Sequence, residues 1–134
     1  MSNAQTLEVS QKIQSVKLKS QHDDEYKLIK SGVWIIAWDK ETTSLANSYF
    51  DKHKMRDDIN LIVDTSAIPA GIFSLFVHPR MKKFKHPILF SFDKNYNLTL
   101  PYKEDNLTLL YIKDTKITKV GFIETLKELE EALK

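Results

Sequence analysis

The stretch Gly32-Val33-Trp34-Ile35-Ile36-Ala37-Trp38-Asp39-Lys40-Glu41-Thr42 decides the fold. From Val33 to Trp38 it is apolar on both alternating faces, with Gly32 and Asp39 as its bounds. A strand without a polar face does not suit a solvated position, so this one is predicted to run through the middle of a sheet covered on both sides. Directly after it, Leu45, Ala46, Tyr49, Phe50 and His53 recur at helical spacing, and Thr42, Thr43 or Ser44 can cap the helix start.

The same alternation of strand and helix continues downstream. Leu61-Ile62-Val63 reads as a short buried strand, and Pro69 suits the first turn of a second helix with Ser66 as its cap. Ile68, Ile72, Phe73 and Phe76 form the predicted inward stripe of that helix, which Pro79 ends or bends. Ile88 to Phe92 reads as a strand, followed by a turn at Asp93-Lys94-Asn95. Leu107 to Ile112 and Ile117 to Phe122 read as a hairpin across Lys113-Asp114-Thr115-Lys116. Asn97-Leu98-Thr99-Leu100 echoes Asn106-Leu107-Thr108-Leu109, as two strands of similar composition would. A last helix presents Ile123, Leu126, Leu129, Ala132 and Leu133, with Glu124 and Lys134 placed to suit its dipole. Upstream, the alternation of Ile13, Val16 and Leu18 within Gln5 to Gln21 suits an edge strand. The order is β-α-β-α-β-β-α after an N-terminal strand, an α/β class with a central mixed sheet flanked by helices.

Composition narrows the chemistry. A chain of 134 residues, 42% hydrophobic and 28% charged, fits one globular domain over residues 5–134. Met1-Ser2-Asn3-Ala4 matches the remnant of tag removal and is set aside. No apolar run reaches the roughly 18 residues a membrane span needs. The chain has no cysteine, so dithiol–disulfide chemistry is excluded. Absent thiols suit a periplasmic or exported protein, with the cytoplasm as the alternative. His22, His53, His78 and His86 are too dispersed for a familiar zinc spacing, and three glycines build no phosphate-cradling loop. No cofactor or metal is expected; His53 with Asp57 or Asp58 is the one weighable metal pair.

On these residues the chain resembles the thioredoxin-like family. Ala37-Trp38-Asp39-Lys40-Glu41-Thr42 is similar to its Trp-Cys-x-x-Cys turn, with Asp39 and Thr42 in the two cysteine positions. The hairpin from Leu109 to Gly121 and the final helix with Leu126 and Leu129 resemble the family's closing elements. The family's cis-proline position falls on Leu107, where a trans peptide is expected because a cis bond before a non-proline residue costs about 3 kcal/mol. Phe84 to Lys94 looks like the peroxiredoxin and thiol-reductase branch, and Ile62 to Pro69 is similar to the periplasmic YtfJ-type proteins.

The resemblance implies a bacterial, non-catalytic binding or accessory protein with no thiol redox activity. Its candidate groove comprises Trp38, Asp39, Thr42 and Leu107, since the surface around that turn binds extended peptides in the active family. A helix N-terminus lowers a carboxylate's pKa, which makes Asp39 a better cap than a base. The second candidate is the basic loop of residues 80–86, with Arg80, Lys82, Lys83 and Lys85 available to an acidic protein partner. Two alternatives stand beside these. One is non-thiol chemistry by Asp39, Thr42 and His53, and the other is an anion or nucleic-acid binder through the basic loop. Nucleic acid fits least, given a net charge of +2 and Phe84 as the loop's one aromatic.

Overall fold

The computed structural model describes residues 6–134, so the reading of Met1–Ala4 as a remnant lies outside the described residues. The chain runs through β1 (Lys17–Ser20), β2 (Glu25–Lys27), β3 (Gly32–Ala37), α1 (Lys40–Lys52), β4 (Ile59–Asp64) and α2 (Ala70–Ile72). It continues through α3 (His78–Met81), β5 (Leu89–Ser91), α4 (Lys94–Thr99), β6 (Leu107–Lys113), β7 (Lys116–Ile123) and α5 (Leu126–Ala132). A π-helical turn, Phe73–Val77, joins α2 to α3. The strands form one mixed sheet in the order β2-β1-β5-β4-β3-β6-β7. β3, β4 and β5 are mutually parallel, and the remaining pairs are antiparallel.

β3 occupies the sheet's interior, between β4 and β6, because both of its faces are apolar. Val33, Ile35 and Ala37 pack on one side beneath α1 and α5, meeting Ala46, Tyr49, Phe50 and Leu129. Trp34 and Ile36 pack on the other with Leu28, Leu100 and Leu110, under the N-terminal segment around Ile13. Each of these large side chains, once buried, stabilises the fold by about 1.5–3 kcal/mol. The β6–β7 hairpin turns at Asp114 and Thr115, both with positive φ, as a two-residue turn matching strand twist requires. α5 is opened by a capping box between Thr125 and Glu128. No helix among the described residues is long and apolar enough to cross a membrane.

Five expectations are corrected. The N-terminal strand is not at the edge: β1 turns back at Asp23, which has positive φ, and the short polar β2 takes the edge instead. The helix after β3 starts earlier than Thr42, because Asp39 caps it. Asp93-Lys94-Asn95 does not simply turn, since the Asp93 carboxylate accepts from the Tyr96 N–H and opens α4, which takes up Asn97 to Thr99. The second helix buries little of its predicted stripe. Phe73 meets Phe90 edge-on at 4.8 Å, whereas Ile72 and Phe76 are 47% and 57% exposed. The π turn widens the spiral ahead of Pro79, so spacing counted at 3.6 residues per turn assigns the wrong faces there. Ser66 gives its N–H and hydroxyl to Asp64 and leaves α2 without a side-chain cap.

Gly32 enters β3 at φ 141°, and a Cβ there would stand 2.2 Å from the Asp58 carbonyl oxygen. Gly32→Ala is therefore expected to lower unfolding free energy by about 2 kcal/mol or more, read by urea denaturation.

Candidate functional site

The junction of β3 and α1 is closed by reciprocal hydrogen bonds. The Thr42 N–H and hydroxyl donate to Asp39 Oδ1, each at 2.8 Å. The Trp38 and Asp39 N–H groups donate in turn to Thr42 Oγ1 at 2.9 and 3.1 Å. This is a capping box, and it occupies both Asp39 and Thr42. Thr42 is 2% exposed, and its hydroxyl has spent its proton and its lone pairs on the cap. His53 sits at the opposite end of α1, about 20 Å away for a helix of this length, and its Nδ1 faces the Tyr49 carbonyl. Asp39, Thr42 and His53 are therefore not brought together as an enzyme site. Asp58 pairs with Arg56 at 2.9 Å rather than with His53. Among the described residues no three His, Asp or Glu side chains converge on a metal-sized space.

The remaining groove candidates divide. Trp38 is half-buried; its Nε1–H donates to Thr108 Oγ1 at 3.0 Å, and Tyr102 meets its ring edge-on at 5.1 Å. Leu107 is 0% exposed in the core against α1 and α5, so its side chain presents no binding surface. The Asn106–Leu107 peptide is trans, as are the others among the described residues.

A cleft of about 340 Å³ opens beside the cap, at the carboxyl ends of β3, β4 and β5. Open parallel sheets bind ligands at that end of their strands. Trp38, Asp39, Lys40, Thr43 and Ser44 line it from the first junction, and Val63, Asp64, Ala67 and Ile68 from the end of β4. Val77, Arg80 and Met81 close the far wall, and Phe90 lies beneath. The floor is apolar, and the charges at the rim are unequal in availability. Asp39 Oδ1 serves the cap, and Asp64 Oδ1 accepts from the Ser66 N–H, the Ser66 hydroxyl and Asn97 Nδ2 at 2.6–2.9 Å. Arg80 and Lys40 make no ion pair among the described residues. The cleft thus offers free cations above an apolar floor.

The basic loop does not act as one surface. Arg80 belongs to this cleft, while Lys83 and Lys85 overhang a separate open hollow beside the end of α1, lined also by Asp51 and Lys54. Lys82 is exposed and lines neither. His86, the loop's last residue, is not part of any exposed charge. It is 7% exposed, its Nε2 lies 2.8 Å from Asn47 Oδ1, and burial lowers its pKa to about 4 against a smaller opposing pull from Asp51. Sequence reasoning missed the wall formed by Ala67, Ile68 and Val77, because their joining depends on how the irregular second helix lies.

No protein-family model matches the chain, and no curated protein matches it. Solved structures do match. StoA from Bacillus subtilis superposes with a TM-score of 0.59 at 16% identity, over 90% of this chain and 97% of that one. The pneumococcal exposed lipoprotein thioredoxin Etrx1 from Streptococcus pneumoniae gives 0.59 at 16%, over 90% and 98%. A peroxiredoxin-like protein from Aquifex aeolicus gives 0.55 at 10%, over 96% and 86%. The fold is the thioredoxin fold. Within it, the α1 turn of this chain carries Asp39 and Thr42 and no thiol. The likeness of Ile62 to Pro69 to YtfJ-type proteins gains no support from these comparisons.

His86 gives the site's surroundings a pH signature. The unfolded chain takes up the imidazole proton near 6.5, the folded chain only near 4, so the unfolded state binds more protons between those values. The stability this histidine contributes is complete above about 6.5 and is lost progressively as pH falls toward about 4. His86→Gln is expected to flatten that part of the profile, as measured by denaturation at a series of pH values.

Proposed function

We propose that this chain is a non-catalytic binding module of the thioredoxin fold, which seats an apolar side chain of a protein partner next to an acidic group. The observation that carries the reading is the joining, in one cleft, of the turn at Trp38 and Asp39 to Arg80 of α3. The sequence offers those residues as two separate candidates, a groove and a basic loop. In the fold they are opposite walls of one space with an apolar floor of Val63 and Phe90.

The chemistry favours binding over turnover. An apolar floor rewards burial of an aliphatic or aromatic group by about 25 cal/mol per Å². Arg80, with a planar fork of donors, fits a carboxylate beside that group. Asp39 and Asp64 do not compete for the guanidinium on equal terms, because their Oδ1 atoms already accept two and three hydrogen bonds. The nucleophile of the active family is absent, and Thr42, turned into the cap, does not replace it. Freedom from thiols also suits a periplasmic or exported chain.

Selection from a random peptide library displayed on phage tests this reading. Selected peptides are expected to carry an apolar residue beside Asp or Glu, to lose binding to Ala67→Trp, and to bind Arg80→Glu about tenfold or more weakly. Ala67 is exposed at the cleft, so the tryptophan fills the space without entering the core. Enrichment of nothing above background, or of peptides indifferent to Ala67→Trp, would count against the cleft.

A further inference from the structure

The outward face of the segment between β4 and β5 plays no part in the cleft. Leu75 is 71% exposed, Phe76 57% and Ile72 47%. Phe92, just after β5, is 55% exposed and meets Phe73 edge-on at 5.0 Å. None of these four side chains lines the cleft. Isolated exposed leucines need no explanation, but a cluster on one segment does.

Charge says what covers it. Phe73, Val77 and Met81 turn inward, so the positions opposite them on the spiral, from Leu75 and Phe76 through Pro79 to Lys82 and Lys83, turn outward. The face therefore runs from apolar to cationic along its length. From Thr65 to Phe92 the sequence holds no Asp or Glu, although the whole chain has 18 of them, and it holds Arg80, Lys82, Lys83 and Lys85. Lys82 and Lys83 form no ion pair among the described residues; the nearest acid in a pair on this segment is Asp23, 4.0 Å from His78. A surface with aromatic and leucine side chains at one end, lysines at the other and no acid on the segment itself matches an anionic bilayer. There the lysines meet lipid phosphates and the apolar side chains enter the acyl boundary. A protein partner without acidic charge would satisfy the apolar residues equally but gives no reason for excluding acids over the whole span, and an acidic protein is told apart from a bilayer by the vesicle experiment below.

We propose that this face, centred on Leu75, Phe76, Lys82 and Lys83, docks the protein on an anionic membrane surface. The contact is peripheral and leaves the cleft free, since Val77 and Arg80 face it from the other side of the segment.

Co-sedimentation of the full chain with lipid vesicles decides the matter. The protein is expected to pellet with vesicles of phosphatidylcholine mixed with phosphatidylglycerol, to stay in solution with phosphatidylcholine alone, and to be released by high salt. The double change Leu75→Ser with Phe76→Ser is expected to weaken binding about tenfold or more with the melting temperature unchanged, because both side chains lie outside the core. Lys82→Gln with Lys83→Gln is expected to weaken it about 30-fold. Absence of binding to mixed vesicles overturns the proposal, including the case in which an acidic protein proves to need Leu75 and Phe76. Binding that the serine variant leaves intact overturns it as well, since adsorption by charge alone would then explain the result.

Discussion

Everything in this structure is referred to one strand that has no polar side. β3 is held by hydrogen bonds to β4 and β6 and is covered on both faces, so its position cannot slip without exposing Trp34, Ile35 and Ile36, each 0–1% exposed. The close approach of Gly32 to Asp58 fixes where it starts. Its far end delivers Trp38 and Asp39 to the mouth of the sheet, where the chain must become a helix and satisfy the helix's first N–H groups.

That last requirement explains the fate of the turn. In a reactive site of this fold, the charge favoured by the helix N-terminus belongs to a thiolate. Here a carboxylate occupies the place, and the threonine three residues on completes the box. The same electrostatic preference therefore stabilises the fold instead of activating a nucleophile. What survives is shape: parallel strands still end in a hollow, and Arg80 gives that hollow a free positive charge.

The legible parts of the fold were those where one local pattern dominates. β3 and β4 show as unbroken apolar runs, the β6–β7 hairpin as two runs around Asp114 and Thr115, and α5 as a clean helical stripe. The hairpin of β1 and β2 escaped because Glu25-Tyr26-Lys27 is too short and polar to stand out. α4 escaped because Asn95, Asn97 and Thr99 are poor helix formers and only the Asp93 cap holds its start. The stripe Ile72, Phe73 and Phe76 misled, since its reading assumed a regular helix where the chain makes a π turn. At the site, Trp38, Asp39 and Arg80 were each visible as residues, but nothing local to the sequence places the second helix across from the first turn. Leu107 was misjudged as a groove residue because a proline at that position would face the turn, whereas a leucine side chain follows the strand's alternation into the core.

The central claim is that Asp39 and Thr42 form one structural unit at the head of α1. A double-mutant cycle on Asp39→Ala and Thr42→Ala, measured by urea denaturation, tests it most directly. The account predicts that each single change costs about 1–2 kcal/mol and that the double change costs little more than either, a coupling of about 1 kcal/mol or greater. Additive losses, or single changes that leave stability untouched, would contradict it.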